Sequence, residues 1–476
     1  MVPDAIVVGS GPNGLAAALT LARAGWSVRV LERADGIGGG TRTLPLTLPG
    51  FLHDHCSAIH PLAAGSPFFR AAGLARHGLS WIEPPAACAH PLDDGTAALL
   101  LRSTRDTAET LGEDGPAWRA LVDPLVADLD ALLAELLGPV LHRPRRPLLL
   151  ARFGLPALLP ARRLAEARFR GPRARALFAG LAAHAARPLE AAATSAFGLV
   201  LAAAGHGIGW PFPAGGAQRI ADALAAALRE AGGAIETSAP VESLAALPGS
   251  RAVMLDVAPR ELVRLAGAAL PARYARALGA FRQGPGAFKV DYALSAPIPW
   301  RARACALAGT VHLGGTLEEI AHAERDAAEG RLPERPFVLV AQHTPFDPSR
   351  APPGRHTAWT YCHVPNGFAG DATAALEAQL ERFAPGFREI VLARAVRGPL
   401  ALEAENPNLV GGDPSGGENS LARILFRPVA RAVPWATPLP GVFLCSASTP
   451  PGGGVHGMCG HLAARAALRR ARGGWW

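Results

Sequence analysis

The chain has 476 residues, 49% of them hydrophobic and 18% charged, and a formal net charge of +8. That balance excludes a disordered chain, and the length predicts roughly two to three structural units, each with its own core. The positive charge sits on scattered arginines, with Lys289 the single lysine. No recognition motif or aromatic platform accompanies it, which excludes nucleic acid as a partner.

The N-terminus, MVPDAIVVGSG, enters a strand at once, without a charged n-region or cleavable apolar segment, so a cytoplasmic location is expected. Six cysteines lie far apart with no CxxC pair, against a disulfide framework, a zinc site or a dithiol redox motif. Asp4–Val8 is an apolar run of strand length that leads into Gly9-Ser10-Gly11-Pro12-Asn13-Gly14 and then a helical pattern. Gly9 permits a tight turn, Gly11 lets a pyrophosphate approach the backbone, and Gly14 lets helix and strand pack closely. Ser27–Leu31 alternates as a second strand and ends at Glu32, placed to accept the ribose hydroxyls of an adenosine and to repel a 2′-phosphate. FAD and NAD both fit this much.

The next stretch favours FAD. Arg33 precedes a second glycine cluster, Gly38-Gly39-Gly40-Thr41-Arg42, whose amides and arginine suit the long ribityl–pyrophosphate axis of a flavin dinucleotide. His53, His55 and His60 are dense, but two ligands on one strand face without a third predict no metal. From Ser66 to His206 the pattern reads as mostly helical. Within it, Pro144–Leu164 is basic, apolar and broken by proline, fitting either a helix connection or an interfacial patch for peripheral membrane contact. Ala191–Gly205 is too short to span a bilayer and reads as a buried helix.

Gln283–Trp300 alternates as a strand with one face buried and carries Lys289. His343, Trp359, Tyr361 and His363 fall on strands that would wall a pocket, and Asp413 would order the glycine-rich loop after Asn406. Near the end, STPPGGGVHGMCGHLAARAAL runs bare backbone into a helix. That pattern makes either a seat for a flat, electron-rich ligand or a tight turn before a terminal helix.

Three segments, VVGSGPNGLAAA, LERADGIGGGTRT and LCSASTPPGGGVHGMCGHLAA, together resemble the FAD-dependent phytoene desaturase-like oxidoreductases of the amine oxidase superfamily. The likeness is to the bacterial subgroup related to pyridine nucleotide-disulfide oxidoreductase domain-containing protein 2. Lacking a CxxC, this chain is not expected to share the disulfide chemistry in that name. The resemblance implies that Ser446, Ala447, Gly453, Gly454, Val455 and His456 pass beside the isoalloxazine ring, with Gly452 to Gly454 bare because the ring lies against them. It implies backbone contact to the adenine at Val241, although VESLAALPGS leaves little room for the hairpin that usually follows. It also places Lys289 where a lysine holds a water near flavin N5, and gives His456 either a donor role at the ring or a cap on the terminal helix. PPGGG stands where amine oxidases carry an aromatic residue over the flavin.

The fold implied is α/β: a Rossmann-like FAD-binding domain with a parallel sheet (1–65, 207–262 and 396–476) and an α+β substrate domain inserted in two segments (66–206 and 263–395). The function implied is desaturation of a C–C bond in an apolar small molecule, with the flavin reoxidised by oxygen or a quinone. Amine oxidation with peroxide release, or a non-catalytic flavin-bearing interaction protein, are the alternatives.

Overall fold

The computed structural model describes residues 2–139 and 142–473. Five short strands make a fully parallel sheet in the order Val442–Leu444, Ala252–Leu255, Ala5–Val8, Val28–Leu31, Ala234–Glu236. Ala5–Val8 is buried along its whole length, as a central parallel strand covered on both faces must be, and this is why it reads as an unbroken apolar run. Helix Pro12–Arg23 follows it and packs on the terminal helix, Met458–Ala471. A Cβ on Gly460 would stand 1.8 Å from the Asn13 carbonyl oxygen. The last helix is therefore seated against the first turn of the first one.

A seven-stranded mixed sheet follows the order Val391–Arg397, Gly286–Leu294, His356–Val364, Val338–Ala341, Ala308–Leu313, Ala86–Pro91, Ala97–Leu101. Its one parallel pairing is Ala308–Leu313 with Ala86–Pro91. Helices Thr104–Leu111, Pro172–Ala183 and Thr194–Gly207 pack on the last two strands. The architecture is thus α/β, a parallel sheet joined to a larger mixed unit drawn from two stretches of the chain.

Some expectations change. The stretch expected to be mostly helical from Ser66 begins with helix Pro67–Ala72 but then carries the hairpin Ala86–Leu101. Its alanines are poor strand formers, and pairing with Ala308–Leu313 decides the matter. The local signal was Asp93-Asp94-Gly95, where Asp94 accepts from the Thr96 amide at 2.8 Å and Gly95 takes φ 83°. Gly286–Leu294 is buried on both faces. Phe288, Val290, Tyr292 and Leu294 enter an apolar core, while Lys289 and Asp291 are buried on the other side as an ion pair. The expected joints at 262/263 and 395/396 fall within helix Pro259–Ala266 and strand Val391–Arg397. Between Glu236 and Ala252 there is only a short 3-10 turn, Leu244–Ala246, and no hairpin. Thr194–Gly207 is the buried helix, and among the described residues no helix is long and apolar enough to cross a membrane.

Candidate functional site

The C-terminal ends of Ala5–Val8, Val28–Leu31 and Ala252–Leu255 open onto a cavity of about 840 Å³ that continues to the larger sheet. The carboxyl edge of a parallel sheet is where such folds leave a crevice, and the volume lies toward the upper end of small-molecule sites, about 300–1,000 Å³.

At the parallel-sheet end the glycines are bare for different reasons. Gly9 takes φ 96° beneath the Asp256 carbonyl. Gly11 faces the cavity, and a Cβ there would lie 2.7 Å from Asp256 Oδ2. Gly14 is off the cavity wall; a Cβ on it would stand 2.2 Å from the Gly9 carbonyl oxygen, so its role is helix–strand packing. Glu32 is held at the end of its strand. Its Oε2 accepts from the Ser10 amide at 2.8 Å and the Ser10 hydroxyl at 2.6 Å, and its Oε1 from the Ala34 amide at 2.9 Å. The Gly38 amide donates to the Ser10 carbonyl at 3.1 Å, tying the second glycine cluster to the first. Among the described residues Arg42 has no carboxylate partner: its Nε donates to the Gly39 carbonyl at 3.2 Å, and its Nη2 lies 3.5 Å from His55 Nε2.

Of the residues singled out in the sequence, the cavity wall brings together Gly9, Gly11, Pro12, Asn13, Glu32, Arg33, Gly39, Gly40, Thr41, Arg42, Val241, Lys289, Ser446, Ala447, Gly454 and Val455. Gly453 and His456 are not on it. A Cβ on Gly452 would meet Arg427 Nη1 at 2.5 Å, and one on Gly453 would meet the Ser415 carbonyl at 2.7 Å. These two glycines are bare because protein packs against them, and of the three only Gly454 faces the cavity. His456 is buried behind the loop, where its Nδ1 accepts the Met458 amide at 3.0 Å, a cap on the terminal helix. Burial lowers its pKa to about 4, so the ring is neutral.

Lys289 reaches the wall from the larger sheet and pairs with Asp291, also buried. Burial pushes the lysine down and the carboxylate up, each restrained by the other's charge. Asp291 also faces Arg397 at 3.8 Å and His53 at 3.7 Å. Burial takes His53 and His55 to about 3, so both are neutral imidazoles. Among the described residues no group of three or more His, Cys, Asp or Glu is arranged to hold a metal. Trp359 and Tyr361, ring centroids 5.2 Å apart, both line the cavity near Lys289, whereas His343 and His363 do not. His363 is bonded to Glu324 at 2.8 Å in the core. Asp413 accepts amides from Gly284, Ser415 and Gly417 at 2.7–2.9 Å, ordering its loop as expected.

Asp256 was missed. It ends strand Ala252–Leu255, accepts the Gly14 amide at 2.9 Å, and burial raises its pKa to about 7. An acid closing an apolar strand beside the glycine turn was the available signal. Ser10, which anchors Glu32, and His184, Leu201 and Leu339 on the far wall gave no local signal.

Known proteins resemble this chain in sequence and in fold. The family described as flavin containing amine oxidoreductase matches residues 13–269. Mouse pyridine nucleotide-disulfide oxidoreductase domain-containing protein 2 is 27% identical over 544 aligned positions, covering 98% of this chain and 93% of that protein. Hydroxyneurosporene desaturase of Cereibacter sphaeroides is 30% identical over 253, about half of each chain (51% and 50%). Putrescine oxidase solved with putrescine bound superposes with a TM-score of 0.64 at 20% identity over 99% of both chains. Cyclohexylamine oxidase from Brevibacterium oxydans does so at 0.57 and 16%, over 99% and 100%. With more than half its length matched and its cavity at the sheet edge where such a cofactor belongs, this chain belongs to the flavin containing amine oxidoreductases and is a flavin-dependent oxidoreductase.

Proposed function

We propose that the chain uses FAD to desaturate a C–C bond of an apolar small molecule. The observation that carries this reading is the wall supplied by the larger sheet and its helices. Leu201, Trp210, Leu339, Ala341, Trp359 and Tyr361 line it, and among the described residues that wall holds no carboxylate to receive an ammonium group. Five acids line the cavity elsewhere: Glu32 is engaged with Ser10 and Ala34, Asp256 with Gly14, Glu261 with Arg264 and Glu405 with Arg397 and His55, while Glu242, next to Val241, is exposed.

The residues present fit FAD. A Cβ-free Gly11, the open end of helix Pro12–Arg23 and an Arg42 without a carboxylate partner suit a pyrophosphate, which Arg33 would also help to neutralise. Glu32, fixed by three donors, would accept the ribose hydroxyls, and the backbone at Val241 would border the adenine. Gly39, Gly40 and Thr41 would flank the ribityl chain, while Ser446, Ala447, Gly454 and Val455 would back the ring. Bound FAD supplies a hydride acceptor at N5, with oxygen or a quinone restoring the oxidised form. Lys289, desolvated and paired with Asp291, would hold a proton at the wall between the two sheets. The apolar far wall would orient the substrate and exclude water.

The Trp359–Tyr361 pair beside Lys289 favours a second reading, C–N oxidation of a neutral amine with peroxide release. Anaerobic mixing with apolar polyenes and terpenes on one hand, and primary and secondary amines on the other, separates the two. Bleaching of the flavin bands by the apolar compounds alone supports desaturation. Bleaching by amines alone overturns it.

A further inference from the structure

Helix Pro147–Ala157 is apolar on two sides. Leu149, Phe153 and Ala157, spaced by four, enter the main core and pack on helix Thr194–Gly207. Leu148, Ala151, Leu155 and, just beyond the helix, Leu158 follow a three–four spacing on the outer side. Leu148 is 85% exposed and Leu155 74%, the two most exposed large hydrophobic side chains among the described residues, with Leu158 at 50%. A core helix needs only one such stripe; the second covers nothing among the described residues.

The surroundings are basic. Between His142 and Arg163 stand six arginines and no carboxylate. Arg146 pairs with Asp128, and Arg162 with Glu166 and Glu190. Among the described residues the other four, Arg143, Arg145, Arg152 and Arg163, form no ion pair, and all are exposed. Arg152 falls between Leu148 and Leu155 on the outer side, where a long side chain can lie along apolar surface and lift its charge to the headgroups.

We propose that this face docks on an anionic lipid surface, Leu148, Leu155 and Leu158 entering the acyl boundary and Arg143, Arg145, Arg152 and Arg163 meeting headgroup phosphates. An amphipathic helix with leucines on one face and arginines beside it has the composition of an interfacial anchor. A second copy of the chain suits the face less well, because a two-fold contact would set the same arginines against each other. The position gives docking a use. The helix beneath, Thr194–Gly207, carries Leu201 to the cavity wall, so the docked face stands one helix from the apolar chamber. The inference rests on the exposed face and not on which molecule is oxidised.

The test is flotation of the purified full-length protein with vesicles of phosphatidylcholine, alone and mixed with phosphatidylglycerol. The protein should float with the mixed vesicles at low salt and be released as salt rises. Leu148→Ser/Leu155→Ser should weaken partition by about tenfold or more. The quadruple Arg→Gln variant at 143, 145, 152 and 163 should weaken it by on the order of a hundredfold. Leu400→Ser, an exposed leucine elsewhere (53%), should float like the wild type. All seven substituted positions are exposed, so an unchanged melting temperature certifies the fold of each variant. Wild-type protein that stays with the load at every composition overturns the proposal, as do leucine variants that float unchanged. A leucine variant that turns a dimer into a monomer by light scattering, with flotation unaltered, assigns the face to a second copy and overturns it too. Flotation needs no substrate, so its failure is separate from a failure of the desaturase reading.

Discussion

Asp256 gives the site a built-in pH dependence. It is buried against the glycine turn, bonded to the Gly14 amide, and burial raises its pKa from 3.8 to about 7. A carboxyl whose folded value lies above its unfolded one holds its proton more tightly when folded. Its contribution to stability is therefore lost as pH rises from about 4 through about 7, and above that range the folded state carries a buried charge. At 1.36 kcal/mol per pH unit the full rise corresponds to about 4 kcal/mol, and the part between pH 5 and pH 8 to about 2.5 kcal/mol. Asp256→Asn keeps an acceptor for the Gly14 amide and removes the charge. Thermal melts of wild type and variant at pH 5 and pH 8 are the assay. The variant should gain several degrees over wild type at pH 8 and much less at pH 5. An equal difference at the two pH values, or a variant less stable at pH 8, would refute a neutral, buried Asp256.

Three further substitutions separate packing from chemistry. Gly14→Ala brings a Cβ to 2.2 Å from the Gly9 carbonyl, an overlap of about 1 Å, and should cost about 3 kcal/mol and lower the flavin-to-protein ratio; normal flavin content and melting temperature would contradict the packing role. Lys289→Met leaves Asp291 buried with Arg397 at 3.8 Å as its nearest remaining cation and a neutral His53 at 3.7 Å, which should cost about 3–5 kcal/mol and slow reoxidation by oxygen, with Asp291→Asn in the same chain recovering stability but not the rate. Unchanged reoxidation in stopped flow removes Lys289 from the chemistry. His456→Ala removes the Met458 cap, for about 1 kcal/mol in melts, and should leave flavin reduction unchanged because the ring does not reach the cavity; a slowed reduction would put His456 back at the site.

The parallel-sheet half of the site was legible because its parts are close in sequence. Gly9 to Gly14, Glu32 and Gly39 to Arg42 form one strand–turn–helix–strand unit, so spacing and residue type define their positions. Lys289 was legible through its rarity, standing alone in a chain rich in arginine. What local pattern could not supply was long-range pairing. Ala86–Pro91 is a strand because Ala308–Leu313 lies beside it, and its alanines say little by themselves. Asp256 gains its meaning only when its strand lies beside Ala5–Val8. The terminal glycines show the same limit: one pattern, PGGG, serves two purposes, with Gly452 and Gly453 yielding to Arg427 and Ser415 and Gly454 opening to the cavity.

The central claim is that the cavity between the two sheets holds FAD. The direct test is the visible spectrum of the purified protein, with mass analysis of the cofactor released by heat. Flavin absorbance and a released mass equal to FAD are the result predicted. Protein that stays colourless after incubation with FAD, or that releases a different nucleotide, would contradict the account.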